Sequence, residues 1–216
     1  PFYLVRNPLQ VLTAYQNAAY ADAYVAFVVR VEAAATVLPG GERLALTVAR
    51  NLFKLMAYKD EYEVARLYSD GRFRKELTQV FDGDFKVKFH LAPPIFNPEL
   101  DDEGRPKKRE FGPFMAPAFA ALSRFRFLRG TFFDPLGRSE ERRMERRLIP
   151  EYRARIESLL PRLSAGNLET ALAIAALPDD IRGYGPVKLA SVAAAQEKLS
   201  ALMAKFDASD MVRSAA

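Results

Sequence analysis

The stretch that decides the fold is RNLFKLMAYKDEYEVARLY, which spans Arg50–Tyr68. It contains neither glycine nor proline, and its apolar residues recur at helical spacing. The side chains predicted to share one face are Val48, Leu52, Leu55, Met56, Val64, Leu67 and Tyr68. The charged side chains fall between them and are predicted to face solvent: Lys54, Lys59, Asp60, Glu61, Glu63 and Arg66. Such a stripe must be buried, so we expect the helices before and after it to pack around it.

Helical patterns extend over most of the remaining chain, and glycine or proline separates several of them. The predicted helices run from Pro8 to about Leu38, Glu42 to about Tyr58, Phe73 to Phe81, Pro113 to about Leu128, Glu140 to Leu160, Asn167 to Leu177 and Val187 to Phe206. The segment Asp60–Leu67 either continues the second helix or forms its partner. Ser139 and Asn167 precede two of these helices as candidate N-caps.

One stretch changes from helical spacing to a two-residue repeat. The apolar residues from Phe85 to Leu91 alternate with Lys86, Lys88 and His90, which is typical of a half-buried strand. Arg105–Phe111 is predicted to return as a second strand. The predicted fold class is therefore mainly α (α+β): a helical bundle-like domain with one small antiparallel β-hairpin. Residues 1–216 are expected to form a single domain.

The composition excludes several classes of site. The sequence contains no cysteine, which rules out a thiolate nucleophile and a cysteine-held iron–sulfur cluster or zinc ion within this segment. Its single histidine, His90, cannot form a histidine-rich metal site; we interpret it as a surface residue, with the rim of a pocket as the alternative. Neither a G-x-x-x-x-G-K-[ST] nor a G-x-G-x-x-G motif is present. The longest apolar runs, such as Ala23–Val29, are much shorter than a membrane span. We therefore expect a cytoplasmic location and no membrane contact.

The positive charge is concentrated in one region. The net charge is +5, and residues 101–155 contain 14 Lys or Arg and 9 Asp or Glu, so the rest of the chain is balanced. The densest basic run is Arg105–Arg109. Three interpretations remain open: a solvated face with paired charges, a surface that binds an anion or an acidic partner, and a nucleic-acid surface. Interleaved carboxylates such as Glu110 and Glu140 make nucleic acid the least expected partner.

Five segments, taken together and in order, resemble one known family. They are Asn51–Tyr68 (NLFKLMAYKDEYEVARLY), His90–Pro94 (HLAPP), Gly104–Pro113 (GRPKKREFGP), Gly130–Arg147 (GTFFDPLGRSEERRMERR) and Leu177–Lys188 (LPDDIRGYGPVK). The pattern is similar to the C-terminal domain of the large fused indolepyruvate ferredoxin oxidoreductases, a branch of the 2-oxoacid:ferredoxin oxidoreductases. The similarity extends from about Leu44 to Val192.

This resemblance implies a parent enzyme that decarboxylates aryl pyruvates, chiefly indolepyruvate, and passes electrons to ferredoxin. Such an enzyme uses thiamine diphosphate with magnesium, iron–sulfur clusters and coenzyme A. The thiamine motif of that family, GDG followed by NN, does not occur here, because Asp82-Gly83-Asp84 lacks its pattern. No cofactor site and no catalytic or metal-binding residue is therefore expected in this segment. The segment alone is expected to be inactive.

Two hypotheses follow from the resemblance and the charge pattern. In the first, the chain is an accessory domain and a fragment of a multidomain oxidoreductase. It packs on upstream catalytic domains of the same polypeptide and offers a cationic surface to an anion or to ferredoxin. In the second, it is a purely structural, oligomerising domain without a ligand site; a homo-oligomer is expected in either case. The residues predicted to form the cationic surface are Lys54, Lys59, Arg105, Lys107, Lys108 and Arg109.

Overall fold

The computed structural model describes residues 2–81, 83, 86–91 and 107–214. Within this part the chain is mainly α-helical with one two-stranded antiparallel sheet, which confirms the predicted fold class. The elements are α1 Phe2–Tyr15, α2 Ala18–Ala35, α3 Glu42–Met56, α4 Glu61–Ser69, α5 Arg72–Val80, β1 Phe89–Leu91, β2 Arg109–Phe111, α6 Met115–Arg124, α7 Glu140–Leu159, α8 Leu168–Ala176 and α9 Pro186–Ser214. Short 3₁₀ helices lie at Phe125–Leu128, Leu160–Arg162 and Leu177–Asp180.

The chain forms two compact units. The terminal unit comprises Pro1–Ala57 together with Met144–Ala216, and the central unit comprises Tyr58–Arg143. The boundary near residue 57 divides the stretch Arg50–Tyr68, so its two halves belong to different cores. The expectation of one accessory domain over residues 1–216 stays a prediction.

The core of the terminal unit confirms the first half of the apolar stripe. Val48, Leu52, Leu55 and Met56 are all buried on α3, and they pack with apolar side chains from α1, α2, α7, α8 and α9. Burial of such side chains contributes about 1.5–3 kcal/mol each. Buried tyrosine hydroxyls bond to backbone carbonyls; for example, Tyr24 donates to the Ala49 carbonyl at 3.1 Å. These contacts fix α3 within the unit.

The long first helix predicted from Pro8 to Leu38 is instead two helices. Tyr15 ends α1, and Asn17 begins α2 with extended backbone and a side chain that accepts a hydrogen bond from the Tyr20 amide at 2.9 Å. An asparagine at this position satisfies an amide that would otherwise lack a partner, and so it favours a new helix start. The alanine-rich composition concealed this break because alanine favours helix on both sides.

The second half of the stripe behaves differently from the prediction. Leu67 and Tyr68 remain partly exposed on α4, whereas Asp60 and Glu63, predicted to face solvent, are buried. Glu63 accepts two hydrogen bonds from the Arg66 guanidinium, at 2.7 and 2.8 Å. Helical spacing alone cannot reveal such pairing, because it assigns every charge to the solvent face.

The buried carboxylate of Asp60 has a buried cation as its partner. Arg129 donates from Nε to Asp60 Oδ2 at 2.5 Å and from Nη2 to Oδ1 at 2.9 Å. The two side chains are only 6% and 4% exposed. Asp60 Oδ1 also accepts from the Glu63 amide at 2.8 Å and thereby caps α4. This pair ties the start of α4 to the end of the 3₁₀ helix Phe125–Leu128.

A second buried carboxylate, Asp134, organises the loop that follows. Its oxygens accept hydrogen bonds from the amides of Gly130, Leu136 and Gly137 at 2.8, 3.1 and 2.9 Å. The Tyr62 hydroxyl donates to the same carboxylate at 3.0 Å. Burial, followed by the charge of Asp134, raises the pKa of Tyr62 well above its ordinary value. The loop between residues 130 and 137 is therefore wrapped around one side chain.

The predicted antiparallel hairpin is present but shorter than predicted, because residues 86–88 and 107–108 are described and are not part of a strand. Phe89 lies opposite Phe111, His90 opposite Glu110, and Leu91 opposite Arg109. Phe89 is buried with its ring centroid 5.2 Å from that of Phe119, whereas His90 is exposed, with Nε2 4.0 Å from Glu110 Oε2. The neighbouring Lys88 lowers the pKa of Glu110. The acidic loop before β2 and Arg105 lie outside the described residues.

Candidate functional site

The terminal unit carries a group of cations that converges on Lys54. Helix α3 places Arg50 and Lys54 one turn apart, so that they lie on the same face. Arg182 follows the 3₁₀ helix Leu177–Asp180, and Lys188 lies in the first turn of α9. We call Arg50, Lys54, Arg182 and Lys188 the Lys54 cluster.

Lys54 itself is held by a backbone carbonyl. Its Nζ donates to the Pro178 carbonyl oxygen at 2.5 Å. Burial lowers the pKa of Lys54; the charge of Asp179 opposes this effect, and the charges of Arg182, Lys188 and Arg50 add to it. The ammonium group therefore lies among three like charges, with Asp179 as the carboxylate that opposes them. A bound anion would stabilise its charged form.

The other three cations have partners that fix their positions. Arg50 is paired with Asp179, and Lys188 is paired with Glu145, a buried carboxylate on α7. Arg182 donates from Nε to the Asp179 carbonyl at 3.0 Å. Because each cation is restrained, the cluster needs little reorganisation to meet a ligand.

The charges of the cluster do not cancel. Among the described residues, Asp179, Asp180 and Glu145 are the carboxylates that pair with it or act on Lys54. Asp180 forms its own ion pair with Lys198 at 2.7 Å. With Lys198 added to the four cations of the Lys54 cluster, five positive charges lie near these three carboxylates. The local excess is therefore two positive charges. Such an arrangement suits a carboxylate or phosphate group at the surface.

The adjoining cavity limits the size of any ligand held there. It is lined by Leu55, Tyr152, Arg155, Pro178 and Gln196 among others, and has a volume of about 40 Å³. That is room for one or two water molecules, whereas pockets for larger ligands reach about 300 Å³ or more. An anion at the Lys54 cluster would therefore bind from the outside, with only its charged end engaged.

The loop that carries Arg182 depends on Gly183. Its φ is +89°, and a Cβ atom there would lie 2.7 Å from Val187 Cγ1. We expect Gly183→Ala to lower the free energy of unfolding by about 1–3 kcal/mol, because both the backbone conformation and the contact become strained. Urea unfolding followed by circular dichroism would measure the change.

The Gly183→Ala, Val187→Ala double variant is the matched control, because it removes the 2.7 Å contact with Val187 Cγ1 and leaves the 3.1 Å contact with Cβ and the backbone strain. Val187 is largely exposed, so its own truncation should cost little. If the double variant is more stable to unfolding than Gly183→Ala alone, the expected steric clash is supported. An unchanged stability of the single variant would show that the loop adjusts freely.

The predicted cationic residues do not all lie in one place. Lys54 belongs to the terminal unit, whereas Lys59, Lys107, Lys108 and Arg109 are exposed residues of the central unit. Arg105 lies outside the described residues. The sequence interpretation also missed Arg182 and Lys188, which are far from Lys54 in the chain, and Arg50, which helical spacing could have placed on the same face of α3. The available signal was the density of charge, glycine and proline in LPDDIRGYGPVK.

The described part of the chain has neither a membrane-spanning helix nor a group of metal-binding side chains. No helix there is both long enough and apolar enough to cross a bilayer. No three or more His, Asp or Glu side chains there are grouped so that they could hold a metal ion.

Comparison with known proteins gives one result. A family described as a family of unknown function, DUF6537, matches residues 3–201. No curated protein and no solved structure was found to match the chain. Because the matched residues span most of the sequence, the chain belongs to the DUF6537 family.

Proposed function

We propose that this chain is an accessory domain of a thiamine-diphosphate-dependent indolepyruvate (aryl pyruvate):ferredoxin oxidoreductase. In this proposal it packs on the catalytic domains and supplies an anion-binding surface centred on Lys54. The five segments quoted above support the parent enzyme by resemblance. The observation that carries the anion site is the convergence of Arg50, Arg182 and Lys188 on Lys54, whose ammonium group donates to the Pro178 carbonyl.

The residues of this chain do not fit the redox cofactors of such an enzyme. There is no cysteine to ligate an iron–sulfur cluster, and the thiamine motif is absent from the sequence. We therefore assign those groups to other domains of the parent and no chemical step to this one. The role left to the Lys54 cluster is to bind and position a charged group, such as a phosphate of coenzyme A or a substrate carboxylate.

The cluster has the physical properties that such binding requires. A guanidinium offers paired donors to phosphate or carboxylate, and an ammonium offers a compact charge. Lys54 already lies among like charges, so an anion relieves repulsion as well as forming new hydrogen bonds. Binding should therefore raise the pKa of Lys54 and be accompanied by proton uptake at alkaline pH.

Titration with coenzyme A and with inorganic phosphate tests the anion site. We expect Lys54→Met to weaken binding of coenzyme A by about tenfold or more, because a charge-assisted contact is lost. Lys205→Met, which removes an exposed lysine elsewhere on α9, is the matched control and should leave affinity unchanged. Calorimetry gives the affinities, and NMR of ¹³C-labelled lysine methylenes reports the pKa of Lys54 with and without ligand. The anion site would be ruled out if the two variants bound coenzyme A equally well, or if coenzyme A did not raise the pKa of Lys54.

The full-length oxidoreductase tests the accessory role. Lys54→Met should raise KM for coenzyme A with kcat retained, because binding is affected and chemistry is not. The other residues of the single cationic surface predicted from the sequence are proposed to face acidic ferredoxin: Lys59, Arg105, Lys107, Lys108 and Arg109. Replacing Lys107 and Lys108 with Glu should raise KM for ferredoxin and leave that for coenzyme A unchanged. Unaltered kinetics in both variants would favour the alternative of a structural, oligomerising domain.

A further inference from the structure

Four phenylalanines of the central unit are exposed within one short stretch. Phe125 and Phe127 lie on the 3₁₀ helix, and Phe132 and Phe133 lie on the loop that follows. Phe132 and Phe133 are 84% and 74% exposed. The rings form two pairs, with centroids 6.1 Å apart in the first and 5.4 Å apart in the second. Two pairs of large apolar side chains left in water, close together in the chain, are typical of an interaction surface.

The exposure of Phe132 and Phe133 follows from an ordered backbone. The Asp134 carboxylate holds the amides of Gly130, Leu136 and Gly137, and the buried Asp60–Arg129 pair anchors the start of the loop. The Thr131 hydroxyl adds a bond to the Leu128 carbonyl at 2.8 Å. The buried carboxylates of Asp60 and Asp134 thus stabilise the loop on which Phe132 and Phe133 are exposed to solvent. A preformed surface loses less conformational entropy when it binds.

Arginines accompany these rings without carboxylate partners. Among the described residues, Arg124 and Arg126 form no ion pair, and the guanidinium groups of Arg138 and Arg143 bond to the backbone carbonyls of Phe132 and Arg138. We call the four phenylalanines and four arginines the Phe–Arg surface. Aromatic residues and arginine are the side chains most enriched at the centres of protein interfaces.

We propose that the Phe–Arg surface docks an acidic, leucine-bearing segment of a partner protein. The arginines would pair with its carboxylates, and the rings would cover its aliphatic side chains. A second copy of this chain is a poorer occupant, because a symmetric contact sets arginine against arginine. This proposal uses residues of the central unit and does not depend on the Lys54 cluster.

Binding of a defined peptide to the full chain tests the proposal. The probe is a fluorescent peptide of repeated Glu-Asp-Leu-Gly, with repeated Lys-Lys-Leu-Gly as the charge control. We expect the acidic peptide to bind, and the Phe132→Ala, Phe133→Ala variant to weaken it by about tenfold or more. Arg124→Glu with Arg126→Glu should weaken it by a similar factor. Raising the salt from about 50 to about 300 mM should also lower the affinity.

Matched variants separate the surface from general effects. Phe81→Ala removes another exposed ring of the central unit, and Lys205→Glu reverses a charge elsewhere; both should bind the peptide within about twofold of the unchanged chain. Equal binding by the Phe132 and Phe133 variant, or no acidic-peptide binding, overturns the proposal. The proposal is also overturned if the chain binds vesicles with about one-third phosphatidylserine, or an oligouridylate, more tightly than it binds the acidic peptide, and if the same variants weaken that binding. A dimer lost in the same variant, seen by light scattering, would assign the surface to a second copy instead.

Discussion

Replacing Asp60 with alanine should lower the free energy of unfolding of the central unit by about 3–5 kcal/mol. The substitution leaves the Arg129 guanidinium buried without its carboxylate and also removes the cap of α4. Urea unfolding gives the overall loss. Hydrogen exchange in residues 60–70 and 129–137 shows whether that loss is confined to the central unit.

Two variants separate the contributions of Asp60. Asp60→Asn keeps an acceptor for the Glu63 amide and loses the charge, so it should cost about 1 kcal/mol less than alanine does. Asp60→Leu combined with Arg129→Met removes both charges and should recover much of the stability, since an apolar pair needs no compensation. A loss below about 1 kcal/mol in Asp60→Ala would contradict the buried pair and indicate a solvated one.

Replacing Asp134 with alanine should cost about 3–4 kcal/mol, because four donors lose one shared acceptor. The amides of Gly130, Leu136 and Gly137 and the hydroxyl of Tyr62 all bond to this carboxylate. Tyr62→Phe removes one of the four bonds and should cost only about 1 kcal/mol. Asp134→Ala should also reduce binding of the acidic peptide, although Phe132 and Phe133 are unchanged.

Hydrogen exchange provides the decisive measurement for Asp134. The three loop amides should be protected in the unchanged chain and in Tyr62→Phe, and should exchange freely in Asp134→Ala. Protection that survives in Asp134→Ala would mean that the loop is held by other contacts. Asp180→Ala, at an exposed ion pair of the terminal unit, is the control for removal of a carboxylate and should cost less than about 1 kcal/mol.

Much of the helical architecture could be predicted from the sequence. Val48, Leu52, Leu55 and Met56 repeat at helical spacing, and all four are buried on α3. Ser139 was predicted as an N-cap, and its hydroxyl accepts from the Arg142 amide at 3.3 Å. Both signals are local: they depend on residues within one or two turns of each other, and the sequence places those residues directly.

The candidate site could be predicted only in part. Helical spacing places Arg50 on the same face as Lys54, but it cannot predict Arg182 and Lys188, because the contacts that bring them to Lys54 join α3, a loop and α9. The burial of Asp60 is a similar case, since its partner Arg129 lies 69 residues away. From sequence alone, a charged residue on a helix is predicted to be exposed unless its charged partner is known. The partner is set by packing between elements.

The sequence by itself determined that this chain is mainly helical, where most helices begin and end, that one short hairpin interrupts them, and that no cysteine chemistry occurs here. These properties depend on backbone propensity, side-chain periodicity and composition, which act over a few residues. Only the tertiary structure decided that the stretch Arg50–Tyr68 divides between two cores, that Lys54 lies among three other cations, and that Asp134 holds Phe132 and Phe133 outward. Those outcomes depend on which distant groups meet, because a buried charge is stable only beside a partner that the fold supplies.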